Sequence, residues 1–298
     1  MAQLSANGLQ IEYDTFGQAS DSPVLLIMGL GTQMTAWSPE FCGALAARGH
    51  YVIRFDNRDV GLSTKFEGAR APGLLHYAMN HFLRVALKAP YTLSDMASDA
   101  VGVLDALNIP EAHIVGVSMG GMIAQLTALE YPQRAKSLTS MMSTSGDPRL
   151  PRPHRDVMRQ IFMKRASAND PDAMLDHLLR SVRMISSPAF PRSDDDWREQ
   201  LTASLKRSFY PQGFGRQLAA IVADGSRVER LKSISVPALV IHGNADPLVP
   251  VECGIDTARH LPNARLEIIE GMGHDIPPQL VDRLTSLIAG HAGSASRP

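Results

Sequence analysis

The stretch Gly116-Val117-Ser118-Met119-Gly120 joins an apolar run, His113-Ile114-Val115-Gly116-Val117, to a helical pattern, Met122-Ile123-Ala124-Gln125-Leu126-Thr127-Ala128-Leu129. A strand running through Gly-x-Ser-x-Gly into a helix is the context of a nucleophile elbow. The turn leaves no room for side chains beside the serine, which explains glycine at Gly116 and Gly120. A serine held there projects its hydroxyl past the end of the strand. The Met119 amide, at the helix start, would face negative charge developing beside it. The same residues would also make a plain glycine-rich turn of a Rossmann-like unit, so the rest of the chain has to decide.

Outward from the elbow, strand patterns alternate with helical ones. Leu9-Gln10-Ile11-Glu12-Tyr13 alternates like a half-buried strand, and Pro23-Val24-Leu25-Leu26-Ile27-Met28 is a continuous apolar run suited to a sheet interior. Tyr51 to Phe55, Ser137 to Met142, Ala238 to His242 and Arg265 to Ile269 read as further strands. Glu40 to Arg48, Leu93 to Leu107 and Gly121 to Glu130 read as helices between them. This alternation implies a mostly parallel central sheet with helices on both faces.

Between Asp147 and Ile234 the strand pattern stops and amphipathic helices take over; Met174, Leu175, Leu178, Leu179, Val182 and Ile185 fall at helical spacing. The expected organisation is a core of residues 1–146 and 234–290, a helical cap at 147–233, and a flexible tail at 291–298. A smaller apolar insertion at about 66–90 reads as a second lid piece or a dimer contact, with a membrane-surface helix as the third option.

A serine hydroxyl needs a base to take its proton, and the base needs a third group to fix its tautomer. After such an elbow the expected chain order is serine, acid, histidine. The strand ending at His242 runs into Gly243-Asn244-Ala245-Asp246-Pro247, which sets Asp246 just past a strand end. The last strand runs into Gly271-Met272-Gly273-His274. Ser118, Asp246 and His274 are therefore the candidate catalytic residues, with Asp147 as a rival acid. The backbone amides of Met119 and Leu30, the latter in Gly29-Leu30-Gly31-Thr32, are the candidate oxyanion donors. Gly29, Trp37, Met163 and Leu178 are candidates for contact with substrate.

Composition limits the partners. Hydrophobic residues at 44%, charged residues at 20% and a net charge of -1 in 298 residues describe a globular chain with no broad field for nucleic acid. No apolar stretch reaches the roughly 20 residues of a membrane span, so stable membrane insertion is not expected. The start lacks the basic and apolar regions of a signal peptide. Cys42 and Cys253 show no disulfide or metal spacing, and His-Glu-x-x-His is absent. The expectation is a cytoplasmic protein acting on a small, largely uncharged molecule, with no metal and no cofactor.

These segments together resemble the α/β-hydrolase-fold serine hydrolases over nearly all of the chain except the two insertions. The stretch Asp56-Asn57-Arg58-Asp59-Val60-Gly61-Leu62-Ser63 is similar to that family's Asp-x-Arg-Gly-x-Gly-x-Ser turn, with Asp59 where glycine is usual. Met28 stands where many relatives carry histidine. Met28-Gly29 with Asn57-Arg58-Asp59 resembles the methylesterase-like branch that includes aclacinomycin methylesterase. The resemblance implies an α/β-hydrolase fold with an inserted helical cap. It also implies hydrolysis of small to medium, largely apolar carboxylic esters through an acyl-enzyme. Lactonase, carbon-carbon bond hydrolase and cofactor-free perhydrolase activities remain open alternatives, as does a non-catalytic small-molecule receptor.

Overall fold

A computed structural model describes residues 1–83, 85–163 and 170–295; within them the side chains of residues 74, 78, 81, 162, 163 and 171 are not described. Among the described residues one sheet contains β1 (Ala2–Ala6), β2 (Leu9–Phe16), β3 (Ser22–Ile27), β4 (His50–Phe55), β5 (Ala112–Val117), β6 (Ala135–Met141), β7 (Ala238–Gly243) and β8 (Ala264–Ile269). The order is β1-β2-β4-β3-β5-β6-β7-β8. From β4 to β8 every pairing is parallel, whereas β1 with β2 and β2 with β4 are antiparallel.

The helices in the first half of the chain are α1 (Pro39–Ala46), α2 (Leu74–Leu83), α3 (Leu93–Ala106) and α4 (Met119–Glu130). Between β6 and β7 come α5 (Arg155–Met158), α6 (Pro171–Ile185), α7 (Asp194–Arg207), α8 (Pro211–Asp224) and α9 (Val228–Leu231), followed later by α10 (Val251–His260) and α11 (Val281–Ala295).

Strand β3 explains why the sheet is covered twice. Successive side chains of a strand point to opposite faces. Leu25 and Ile27 join the core under α3 and α4, with Leu93, Met96, Leu104 and Ile123. Val24 and Leu26 join the opposite core under α1 and α11, with Phe41, Leu45, Leu284 and Ile288. Each such side chain, fully buried, contributes roughly 1.5–3 kcal/mol. A continuous apolar run with no polar alternate therefore has to be an interior strand.

Two local features differ from the sequence reading. Strand β1 was not anticipated. Asn7 and Gly8, at φ 49° and 75°, make the tight turn that pairs it with β2. The tail expected to fray from residue 291 is helical through Ala295, because His291 and Ala292 continue the buried stripe of Leu284 and Ile288. Residues 296–298 lie outside the described residues.

Strand β5 has β3 on one side and β6 on the other. The chain leaves β3 towards β4 and leaves β5 towards β6, so the loops after β3 and β5 meet over a crevice at the carboxyl ends of the strands.

Candidate active site

Ser118 sits in that crevice, between β5 and α4, with φ 56° and ψ −119°. This left-handed conformation is strained for a residue with a side chain. Crossing backbones enforce it. A Cβ on Gly116 would lie 2.0 Å from the Gly120 carbonyl oxygen, and one on Gly120 would lie 2.1 Å from that of Ile27. The Ser118 amide donates to the Met141 carbonyl at 2.9 Å, and the Ser143 hydroxyl donates to the Ser118 carbonyl at 2.8 Å. The elbow is thus held from the neighbouring strand.

Three segments far apart in the chain converge here. His274 Nε2 lies 3.0 Å from Ser118 Oγ, and His274 Nδ1 lies 2.6 Å from Asp246 Oδ2. A carboxylate can only accept, so Nδ1 carries the proton and Nε2 is left to accept from the serine hydroxyl. Asp246 Oδ1 accepts from the amides of Leu248 and Val249 at 2.9 and 2.8 Å. The rival, Asp147, is spent elsewhere. The Arg149 side chain and amide bind it and hold its carboxyl down at about 2.

His242 ends β7 beneath the acid turn, fully buried. Its Nε2–H donates to the Val249 carbonyl at 2.7 Å and lies 3.6 Å from Asp246 Oδ2. Burial lowers its pKa, so the ring stays neutral, with its N–H engaged by the Val249 carbonyl beside the carboxylate. The sequence offered a signal for this residue in the His242-Gly243 strand end, but no reason to give it a role.

The loop of His274 is bound to the inserted helices. The His274 amide donates to the Ile185 carbonyl at 2.6 Å, and the Gly273 amide donates to Ser187 Oγ at 2.8 Å. The Ser187 amide and hydroxyl both donate to Asp275 Oδ1. Burial raises the Asp275 pKa.

The loop after β3 passes directly against the serine; a Cβ on Gly29 would lie 3.2 Å from Ser118 Cβ. Leu30 follows, half-buried. Met119 is the first residue of α4, where an amide has no partner within the helix. Met28 is buried, and the loop is held by bonds to its backbone. Asn57 Nδ2 donates to the Met28 carbonyl at 2.8 Å, and the Gly31 amide donates to Gln217 Oε1 of α8 at 2.8 Å. Gln217 is fully buried and its Nε2 donates to the Arg58 carbonyl at 2.8 Å. Gln217 lies on an inserted helix, 186 residues along from Gly31, so nothing in the local sequence announced it.

The Asp56 to Ser63 turn is a junction. Asp56 accepts from the Met34 amide at 2.8 Å and pairs with Arg207 of α7 at 2.7 Å. Asp59, at φ 68°, occupies a left-handed backbone conformation that glycine adopts without strain. Its carboxylate accepts two bonds from Arg216 of α8, each 2.8 Å, one from the Tyr91 hydroxyl and one from the Phe66 amide. Burial opposes its ionisation, but Arg216 and the other donors outweigh burial and lower the pKa.

Of the residues expected to touch substrate, Gly29 borders the serine and Leu178 is half-buried on α6. Trp37 does not face the site. It is fully buried in the core, its ring centroid 5.0 Å from that of Phe41, because the turn into α1 folds it under the sheet. The side chain of Met163 lies outside the described residues. Among the described residues no three His, Cys, Asp or Glu side chains converge to hold a metal ion.

Residues 22–279 match the α/β hydrolase fold family. The chain is 30% identical over 298 residues to the rhodomycin D methylesterase of Streptomyces sp. strain C5, covering 94% of each chain. It is 24% identical to 3-oxoadipate enol-lactonase 2 of Acinetobacter baylyi, covering 90% of this chain and 87% of that one. A meta-cleavage product hydrolase from Pseudomonas fluorescens IP01 shares the fold, with a TM-score of 0.79 at 22% identity over 99% of this chain and 98% of that one. Sequence, topology and the strained serine turn agree: the chain belongs to the α/β hydrolase fold family.

Proposed function

We propose that this protein hydrolyses carboxylic esters of small to medium, largely apolar molecules through a covalent acyl-enzyme on Ser118. The observation that carries the reading is the continuous relay from Ser118 Oγ to His274 Nε2 at 3.0 Å and from His274 Nδ1 to Asp246 at 2.6 Å. The 30% identity to a rhodomycin D methylesterase over 94% of the chain supports an ester, and makes methyl esters the first substrates to try.

In this mechanism His274 Nε2 takes the hydroxyl proton as Ser118 Oγ attacks the ester carbonyl. The oxygen of the tetrahedral intermediate becomes an anion facing the amides of Leu30 and Met119, where the amino end of α4 adds its positive dipole. The imidazolium then gives its proton to the departing alcohol, while Asp246 keeps the ring oriented and balances its charge. A water enters, loses a proton to His274 and attacks the acyl-enzyme; the acid leaves and Ser118 is restored. Opening a lactone follows the same steps on a cyclic ester, and the 24% identity to an enol-lactonase keeps that second reading in view.

Residues 147–233 act in this reading as a cap over the crevice, with Gly29 and Leu178 bordering the substrate. Replacing Ser118 with alanine is expected to abolish the burst and turnover of p-nitrophenyl butyrate, with the circular dichroism spectrum unchanged. Turnover persisting in the folded variant would remove Ser118 from the mechanism.

A further inference from the structure

Helix α2 presents its apolar side to solvent. Leu75, Met79 and Leu83 recur four residues apart, so they form one stripe, and they are 70%, 36% and 69% exposed. Phe82 borders the stripe, largely exposed while keeping a contact within the chain. Val85 follows it, also exposed. Tyr77 and Asn80, on the other side of the helix, are the half-buried ones. A helix at a protein surface ordinarily turns its apolar stripe inward, and a contiguous apolar face left outside marks a docking surface.

Charge indicates what docks. From Phe66 to Pro90 the sequence contains Arg70, Arg84 and Lys88 against one acid, Glu67, in a chain whose net charge is -1. Arg70 and Lys88 are exposed. A two-fold contact with a second copy would bring these cations towards their own counterparts. One face of a 10-residue helix also falls well short of the roughly 800 Å² per partner of a stable interface. An anionic bilayer surface suits both properties, because the acyl boundary accepts the leucines and methionine while phosphates accept the cations.

We propose that α2 docks this protein reversibly onto anionic lipid surfaces. The contact is interfacial, since among the described residues no helix is long and apolar enough to cross a membrane. The insertion is rooted on α8, where Arg216 donates to the Ala69 carbonyl at 2.9 Å. The same helix holds Gly31 through Gln217.

The test is flotation of the full chain with vesicles of phosphatidylglycerol and phosphatidylcholine, against pure phosphatidylcholine. Recovery with the anionic vesicles should be about tenfold higher and should fall as salt is raised. Leu75→Asp combined with Leu83→Asp should remove about tenfold of that partitioning while leaving hydrolysis of a soluble p-nitrophenyl ester unchanged. Arg70→Glu with Lys88→Glu, both at exposed positions, should weaken binding to the anionic vesicles alone. Equal recovery on both lipids, no recovery, or recovery untouched by these substitutions overturns the proposal. A dimer seen by analytical ultracentrifugation and dispersed by the two aspartates also overturns it, and assigns the face to a second copy.

Discussion

An asparagine in place of Asp246 would put an amide against His274 Nδ1 and favour the wrong tautomer, leaving Nε2 protonated and unable to accept from Ser118. Asp246→Asn is expected to cost roughly 10⁴-fold in kcat. Asp147→Asn, which only frees Arg149, should stay within a few-fold of the parent under the same p-nitrophenyl ester assay. Comparable losses in the two variants would contradict the assignment. The convergence of Ser118, Asp246 and His274 was legible because each follows a strand end, where a side chain is carried to one end of the sheet. Trp37 was misread because its nearness to Gly29 in sequence says nothing about which side of the sheet the intervening turn selects. His242 was missed because a histidine at a strand end looks like packing until its N–H is seen holding the Val249 carbonyl of the acid turn.

Asp59 shows what a turn can exchange for backbone comfort. Glycine would relieve the φ of 68°, a gain of about 1 kcal/mol. It would also strand the Arg216 guanidinium in a buried site, at about 3–5 kcal/mol. Asp59→Gly is therefore expected to lower stability by about 2–4 kcal/mol in urea unfolding, although it relieves the backbone. Adding Arg216→Leu should recover only the part of the loss that comes from the stranded cation, since the Tyr91 hydroxyl and the Phe66 amide still lose their acceptor. A stabilised single variant would show that the ion pair contributes less than the strain. Strands β2 to β8 and helices α1, α3, α4 and α6 were readable from periodicity, and β1 should have been, since Asn7-Gly8 is a strong hairpin signal. The support from Gln217 and Arg216 was not readable, because partners lying 186 and 157 residues away are joined only by tertiary packing.

The fold as a whole carries buried neutral histidines. His113, with Nδ1 2.8 Å from Ser137 Oγ, is pushed down to about 3 by burial, with Lys136, His50 and His291 adding repulsion. Burial likewise lowers His50, His242 and His291. A histidine depressed in the folded state binds its proton more readily when unfolded. Stability is therefore full above about pH 6.5 and falls as acid is added towards pH 3. For His113 alone this amounts to about 2 kcal/mol by pH 5. Calorimetric melting between pH 7.5 and 5 should show a steep decline, and His113→Asn should flatten it. Equal slopes in the two proteins would mean that other groups carry the acid sensitivity.

The bonds from Ile185 and Ser187 to the loop of His274 have a mechanical consequence. Swinging the inserted helices outward about that seam would pull the imidazole's own backbone with them. On the proposed assignment, a molecule caught ajar is disarmed, and a stray solvent molecule finds no primed serine. Admission of reactant must then come through some other flank.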